Sequence, residues 1–156
     1  MFTHVLIPLD GSVQAEKATR VAPNILPPQC KITLLMVLGE AGENGASDTV
    51  QQARDYLEHT ATWLKLKSYD VKIEIQTGDP ADSIVNFAQH SNIDAIMMCT
   101  HGRSGLERVL FGSVTLKVLN MTPCPVIVIP DREQQRVADE AAADEDVAPF
   151  TPGLVQ

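Results

Sequence analysis

Apolar residues fall along this chain in short blocks of two kinds, and the alternation between them predicts the fold. Near-continuous apolar runs bounded by turn residues occur at His4–Asp10 (HVLIPLD), Lys31–Leu38 (KITLLMVL), Asp94–Cys99 (DAIMMC) and Val126–Pro130 (VIVIP). Such runs suit strands buried on both faces. Val71–Gln76 (VKIEIQ) instead alternates apolar and charged positions, which predicts a strand at or near a sheet edge. Between these blocks the period changes to that of a helix. Ala15, Ala18, Ala22 and Ile25 form one stripe, and Val50, Ala53, Leu57, Ala61 and Leu64 form a second within Asp48–Lys67. Ala81, Ile84, Val85 and Ala88 form a third, and a short helix follows Gly112.

The punctuation agrees with this reading. Gly11 permits a turn after the first strand and Ser12 is a helix cap; Asp79 caps the third helix, with Pro80 in its first turn. Pro23 and Pro27-Pro28 end or bend the first helix. Strands alternating with helices imply an α/β protein: a three-layer sandwich around a doubly wound, five-stranded parallel sheet joined by right-handed crossovers. Such sheets bind ligands beyond the carboxyl ends of their strands, where strand order reverses. Strands one and four are expected to flank that point, bringing Asp10 toward the segment after Cys99.

That segment carries the candidate chemistry. Cys99-Thr-His-Gly102, nine further residues and Gly112-Ser113 connect a buried strand to a helix amino terminus. Free first-turn amides and the helix dipole favour an anion there. Gly102 and Gly112 would admit phosphate oxygens without a Cβ in the way, Ser113 would donate its hydroxyl while capping the helix, and Arg103 would either neutralise phosphate charge or face solvent and pair with Glu107. No GxxxxGK[ST] sequence occurs. Asp10 serves equally as a ligand group for ribose, adenine or a metal, or as a helix cap. Met98 belongs to the core or to an adenine pocket. No nucleophile with an acid partner accompanies His101, so efficient catalysis is not expected.

Composition narrows the class. A chain of 156 residues with 44% hydrophobic and 21% charged content fits one soluble domain with a real core. No apolar run reaches the roughly 20 residues that span a bilayer, and the amino terminus starts as a strand with no secretion signal. Three cysteines without a CxxC pair favour reduced thiols and a cytoplasmic location. Residues from 131 onward carry seven acids and two arginines, so −5 of the net −8 belongs to an alanine-rich segment, 131–156, read as an acidic disordered tail after a 1–130 domain. The mildly acidic body argues against nucleic-acid or anionic-membrane partners. Val109-Leu110-Phe111 and the last strand point to a subunit interface across a two-fold.

HVLIPLDGS, LLMVL, IMMCTHGRSGLERVLFGSV and PCPVIVIP, in that order and spacing, resemble the universal stress protein family over nearly all of residues 1–130. The resemblance implies an adenine nucleotide alpha hydrolase-like fold with strand order 3-2-1-4-5 and a homodimer through strand five, able to build tetramers. ATP-binding members carry G-x2-G-x9-G-[ST]; carried across, its later landmarks are Gly102 and Gly112-Ser113, while Cys99 stands at the first glycine. The resemblance further implies nucleotide contacts at Pro8, Leu9, Asp10, Val37, Met98, His101, Arg103 and Val114. It implies a dimeric stress-response module that binds ATP, with or without Mg2+, or another adenine nucleotide, and hydrolyses it slowly at most. The alternative is a non-nucleotide interaction protein of the same fold. A Cys at position 99 costs affinity only where the backbone needs positive φ or the side chain faces the ligand.

Overall fold

The computed structural model describes residues 1–39, 46–100 and 111–130. The expected acidic tail, 131–156, lies outside the described residues. In chain order the elements are β1 (His4–Pro8), α1 (Val13–Ile25), β2 (Lys31–Leu38), α2 (Ala46–Leu66), β3 (Asp70–Thr77), α3 (Pro80–His90), β4 (Ala95–Cys99), α4 (Ser113–Met121) and β5 (Val126–Ile129). The strands form one five-stranded sheet in the order β3-β2-β1-β4-β5, and every pairing is parallel. Strand order reverses between β1 and β4, as the sequence pattern predicts.

Burial follows from that order. β4 is buried at all five positions and β1 at its three central ones, because each has strands on both sides and helices on both faces. β3 pairs with β2 alone and alternates in burial, so its charged residues Lys72 and Glu74 sit on an edge. Two cores lie on opposite faces of the sheet. Ala15, Ala18 and Ala22 of α1 and Ala53, Leu57, Ala61 and Leu64 of α2 pack on Val5, Ile7, Leu34 and Met97. Ala81, Ile84, Val85 and Ala88 of α3 and Val118 of α4 pack on Leu6, Leu35, Ile96 and Met98. Successive strand residues thus feed alternate cores, as a pleated strand requires.

Two stripe positions depart from expectation. Ile25 is 44% exposed, because it is the last residue of α1, where the chain turns away at Leu26. Val50 is 39% exposed, because it precedes the length of α2 whose apolar face enters the core at Ala53. Pro23 stays inside α1, near its end. At the amino edge of the sheet, one Asp94 carboxylate oxygen accepts from Thr3 N (2.6 Å), Thr3 Oγ1 (2.6 Å) and His4 N (2.9 Å). Those bonds hold the Asp94 carboxyl below the usual carboxylate range and pin the start of β1 to the start of β4.

Candidate functional site

The carboxyl end of β1 forms one lip of the site. Leu9 N donates to Leu35 O at 2.8 Å, continuing the sheet one residue past β1 and leaving Leu9 3% exposed. Gly11 then takes φ +81°, a conformation that favours glycine, and the chain turns into α1. Asp10 Oδ1 accepts from Ser12 N (2.9 Å) and Ser12 Oγ (2.6 Å), and Ser12 Oγ accepts in turn from Ala15 N (3.1 Å). Ser12 is therefore the helix cap and Asp10 orients it. Asp10 also lines the cavity beyond the strand ends. It is thus not itself the cap that the sequence allowed; it supports the cap at Ser12.

β4 and α4 form the opposite lip. Thr115 Oγ1, buried in the first turn of α4, donates to Cys99 O at 3.0 Å, and Gly112 N donates to Thr100 O. These bonds fix the amino terminus of α4 at the end of β4. The sequence reading placed Ser113 as the cap; instead α4 begins at Ser113 and Gly112 occupies the cap position, with φ −63° and no side-chain bond. No side chain at the cap therefore covers the first-turn amides, and the positive end of the α4 dipole faces the crevice edge where Ser113 is exposed.

Cys99 is the last residue of extended β4. Positive φ among the described non-glycine residues is confined to Ser68 and Asn92, so position 99 needs no glycine for its backbone. Its thiol lies 3.9 Å from Ala15 O, toward the α1 side of the sheet, and the residue is 5% exposed.

Between the lips lies a cavity of about 670 Å³, within the range of small-molecule sites. Pro8, Leu9, Asp10, Val37, Met98, Cys99, Gly112, Ser113 and Val114 all line it. It thus gathers every described residue that the sequence reading placed at a nucleotide site. His101, Gly102 and Arg103 lie outside the described residues. Met98 is both core and cavity wall, at 6% exposure. The cavity crosses from the end of β2, at Val37–Gly39, past β1 to the start of α4. That is two interstrand spacings, on the order of 10 Å.

A third wall was not foreseen. Thr49, Gln52, Ala53 and Tyr56 of α2 face the cavity, at the i, i+3, i+4, i+7 spacing of one helical face. Ala53 was assigned to the core stripe, and the polar residues flanking it were the available signal. Tyr56 is the one aromatic lining the cavity among the described residues. Its hydroxyl oxygen is buried and has no hydrogen-bond partner, although Glu16 and Thr60 lie nearby. Burial, then the negative charge of Glu16, push its phenol well above the ordinary range, with Asp10 adding a smaller effect.

The sheet order, the reversal between β1 and β4 and the cavity over that reversal define a doubly wound α/β protein with a cavity at its switch point. Residues 1–130 match the model of the universal stress protein family, and the chain belongs to that family. It is 28% identical over 151 residues to the universal stress protein MJ0531 of Methanocaldococcus jannaschii, covering 83% of this chain and 82% of that protein. Among solved structures, MJ0577 of the same organism superposes with a TM-score of 0.77 at 29% identity, over 83% of this chain and 96% of that one. An Arabidopsis thaliana family member with AMP bound superposes at 0.64 with 22% identity, covering 82% of this chain and 91% of its own. The Archaeoglobus fulgidus universal stress protein in complex with dAMP gives 0.64 at 21% identity, covering 83% and 98%. These last two share the fold with this chain.

Proposed function

We propose that this protein binds an adenine nucleotide in the cavity at its strand-order switch and acts as a dimeric stress-response module. The observation that carries the reading is the convergence of Asp10, Val37, Met98, Gly112 and Ser113 on one cavity, from four separate elements and their loops. Relatives of the same fold hold AMP and dAMP. In this reading the apolar end at Val37 takes the base, Asp10 the ribose, and the start of α4 the phosphates. The family resemblance assigns His101, Gly102 and Arg103, which lie outside the described residues, to the phosphates as well.

Cys99 is compatible with binding, because its backbone is extended and its thiol is directed at Ala15 O. A magnesium ion carried by ATP fits the residues present: Asp10 offers the single carboxylate that a phosphate-bound Mg2+ commonly uses. Among the described residues no nucleophile with a paired base lines the cavity, so the role assigned is ligand sensing, with slow hydrolysis at most. Calorimetric titration with AMP and with Mg-ATP tests the proposal. Saturable binding at or below millimolar concentration is expected; no heat of binding for either nucleotide overturns it.

The dimer is proposed on a separate observation. β5 is an edge strand whose Val126, Ile127 and Val128 are only half-buried, and the adjoining α4 exposes Leu116, Leu119 and Met121. An open apolar edge beside an apolar helix face invites a second copy. Sedimentation velocity should give twice the chain mass, and a monomer at high micromolar concentration would remove this part of the reading.

A further inference from the structure

The two ends of the cavity differ in chemistry. At the α4 end stand Gly112 and Ser113 with the first-turn amides, a place for negative charge. At the other end, where α2 overlies β2, stand Val37, Ala53 and the ring of Tyr56. Among the described residues no cationic side chain lines that end; Thr49 and Gln52 offer neutral polar groups, and the apolar surface suits a planar ring. Ala53 is small and leaves room beside the ring.

Tyr56 itself divides into two parts. The residue lines the cavity and is half-buried, yet its hydroxyl oxygen is inaccessible to solvent. A ligand filling the cavity therefore meets ring carbons and not the oxygen. Glu16 and Thr60, which do not line the cavity, lie close to the buried hydroxyl, so the oxygen sits behind the wall, with Asp10 of the cavity exerting a smaller influence on it.

We infer that Tyr56 is a further ligand-contact residue of this site, presenting its ring as the surface on which a planar heteroaromatic base packs. This rests on the nucleotide reading and adds a determinant to it: the base end of the cavity selects for an aromatic ring system, and Tyr56 supplies the selection. Packing of a base on an aromatic side chain contributes enough that its loss lowers affinity about ten-fold. The hydroxyl makes no such contribution. Removing a buried hydroxyl that lacks a partner leaves the fold close to neutral.

The test uses AMP as the probe and the intact chain. Only two tyrosines occur in the sequence, and Tyr69 is distant in role, its hydroxyl donating to Leu26 O at 2.8 Å in the core. Nuclear Overhauser effects from AMP H2 and H8 to the Tyr56 ring protons are expected in the wild-type protein, with no substitution made. Tyr56→Leu should weaken AMP about ten-fold by calorimetry, whereas Tyr56→Phe should stay within about two-fold of wild type. Wild-type protein that binds AMP, with no effect to Tyr56 and unchanged affinity in Tyr56→Leu, overturns the inference and leaves the nucleotide reading standing. An equal loss in Tyr56→Phe and Tyr56→Leu overturns it too, by making the hydroxyl the contact. Wild-type protein that does not bind AMP overturns the nucleotide reading first.

Discussion

Replacing Cys99 by glycine restores the residue that the ATP-binding signature carries at that position, and the structure makes the outcome of that change specific. If the cysteine blocked the site, glycine would create binding. The geometry says otherwise: position 99 closes an extended strand, its thiol packs toward Ala15 O, and the residue is 5% exposed. Glycine therefore brings no conformational relief. It costs about 0.5–1 kcal/mol in backbone entropy within a strand. It also removes a buried methylene and thiol, worth roughly a further 1–2 kcal/mol as transfer and residual cavity. The expected sum is about 1.5–3 kcal/mol of lost stability, read in a thermal melt as a fall of roughly 3–12 °C for a domain of this size. AMP affinity by calorimetry should stay within about two-fold of wild type, since a position that needs no glycine gains nothing from one. A gain in affinity of ten-fold or more, or binding where the wild type shows none, would refute this reasoning and mean that the native site is obstructed.

Three further outcomes rest on other contacts of the fold. Leu57→Ala empties a fully buried position between α2 and the sheet and should cost about 2–5 kcal/mol in the urea midpoint, against near-neutral Leu66→Ala on the exposed side of the same helix. Ser12→Ala removes the α1 cap and should cost about 1 kcal/mol; it also removes the hydroxyl bond to Asp10 Oδ1 and leaves only the residue 12 amide bond of that pair, so AMP affinity should shift while Asp79→Ala, which removes the α3 cap, leaves it unchanged. Burial, then the charge of Lys31, hold the His4 imidazole below its ordinary 6.5. The unfolded chain therefore takes up that proton more readily, and this contribution to stability is complete above about pH 6.5 and lost as pH falls through the folded value. The urea midpoint should decline between about pH 7 and 5, and His4→Gln should flatten the decline; an unchanged slope would remove His4 as its cause.

The layout of the fold was legible because each structural choice is written twice in the sequence. IMMC of β4 is apolar at successive positions since it is covered on both faces, while VKIEIQ of β3 alternates since it is an edge. Ser12 and Asp79 announce their helices by the side-chain oxygens that accept from Ala15 N and Asp82 N. The β1–β4 lips of the site follow directly from strand order. The third wall does not. Whether Gln52 and Tyr56 face a cavity depends on how α2 lies across the end of β2, and that is a matter of how Leu57, Ala61 and Leu64 pack on the sheet beside and beyond the site. A helical stripe marks which face is buried but not where the sheet beneath it stops. The same blind spot placed Val50 in the core. The start of α4 was off by one residue because Thr115, buried and bonded to Cys99 O, positions the first turn and leaves Gly112 at the cap.

The most direct test is a map of backbone amide shifts in the intact protein as AMP is added. Binding at the strand-order switch predicts the largest changes at Leu9–Gly11, at Val37–Gly39, and at Cys99 with Gly112–Val114, the three segments that meet at the cavity. Shifts confined to the β3 edge or to the outer side of α2, or none at millimolar AMP, would contradict it.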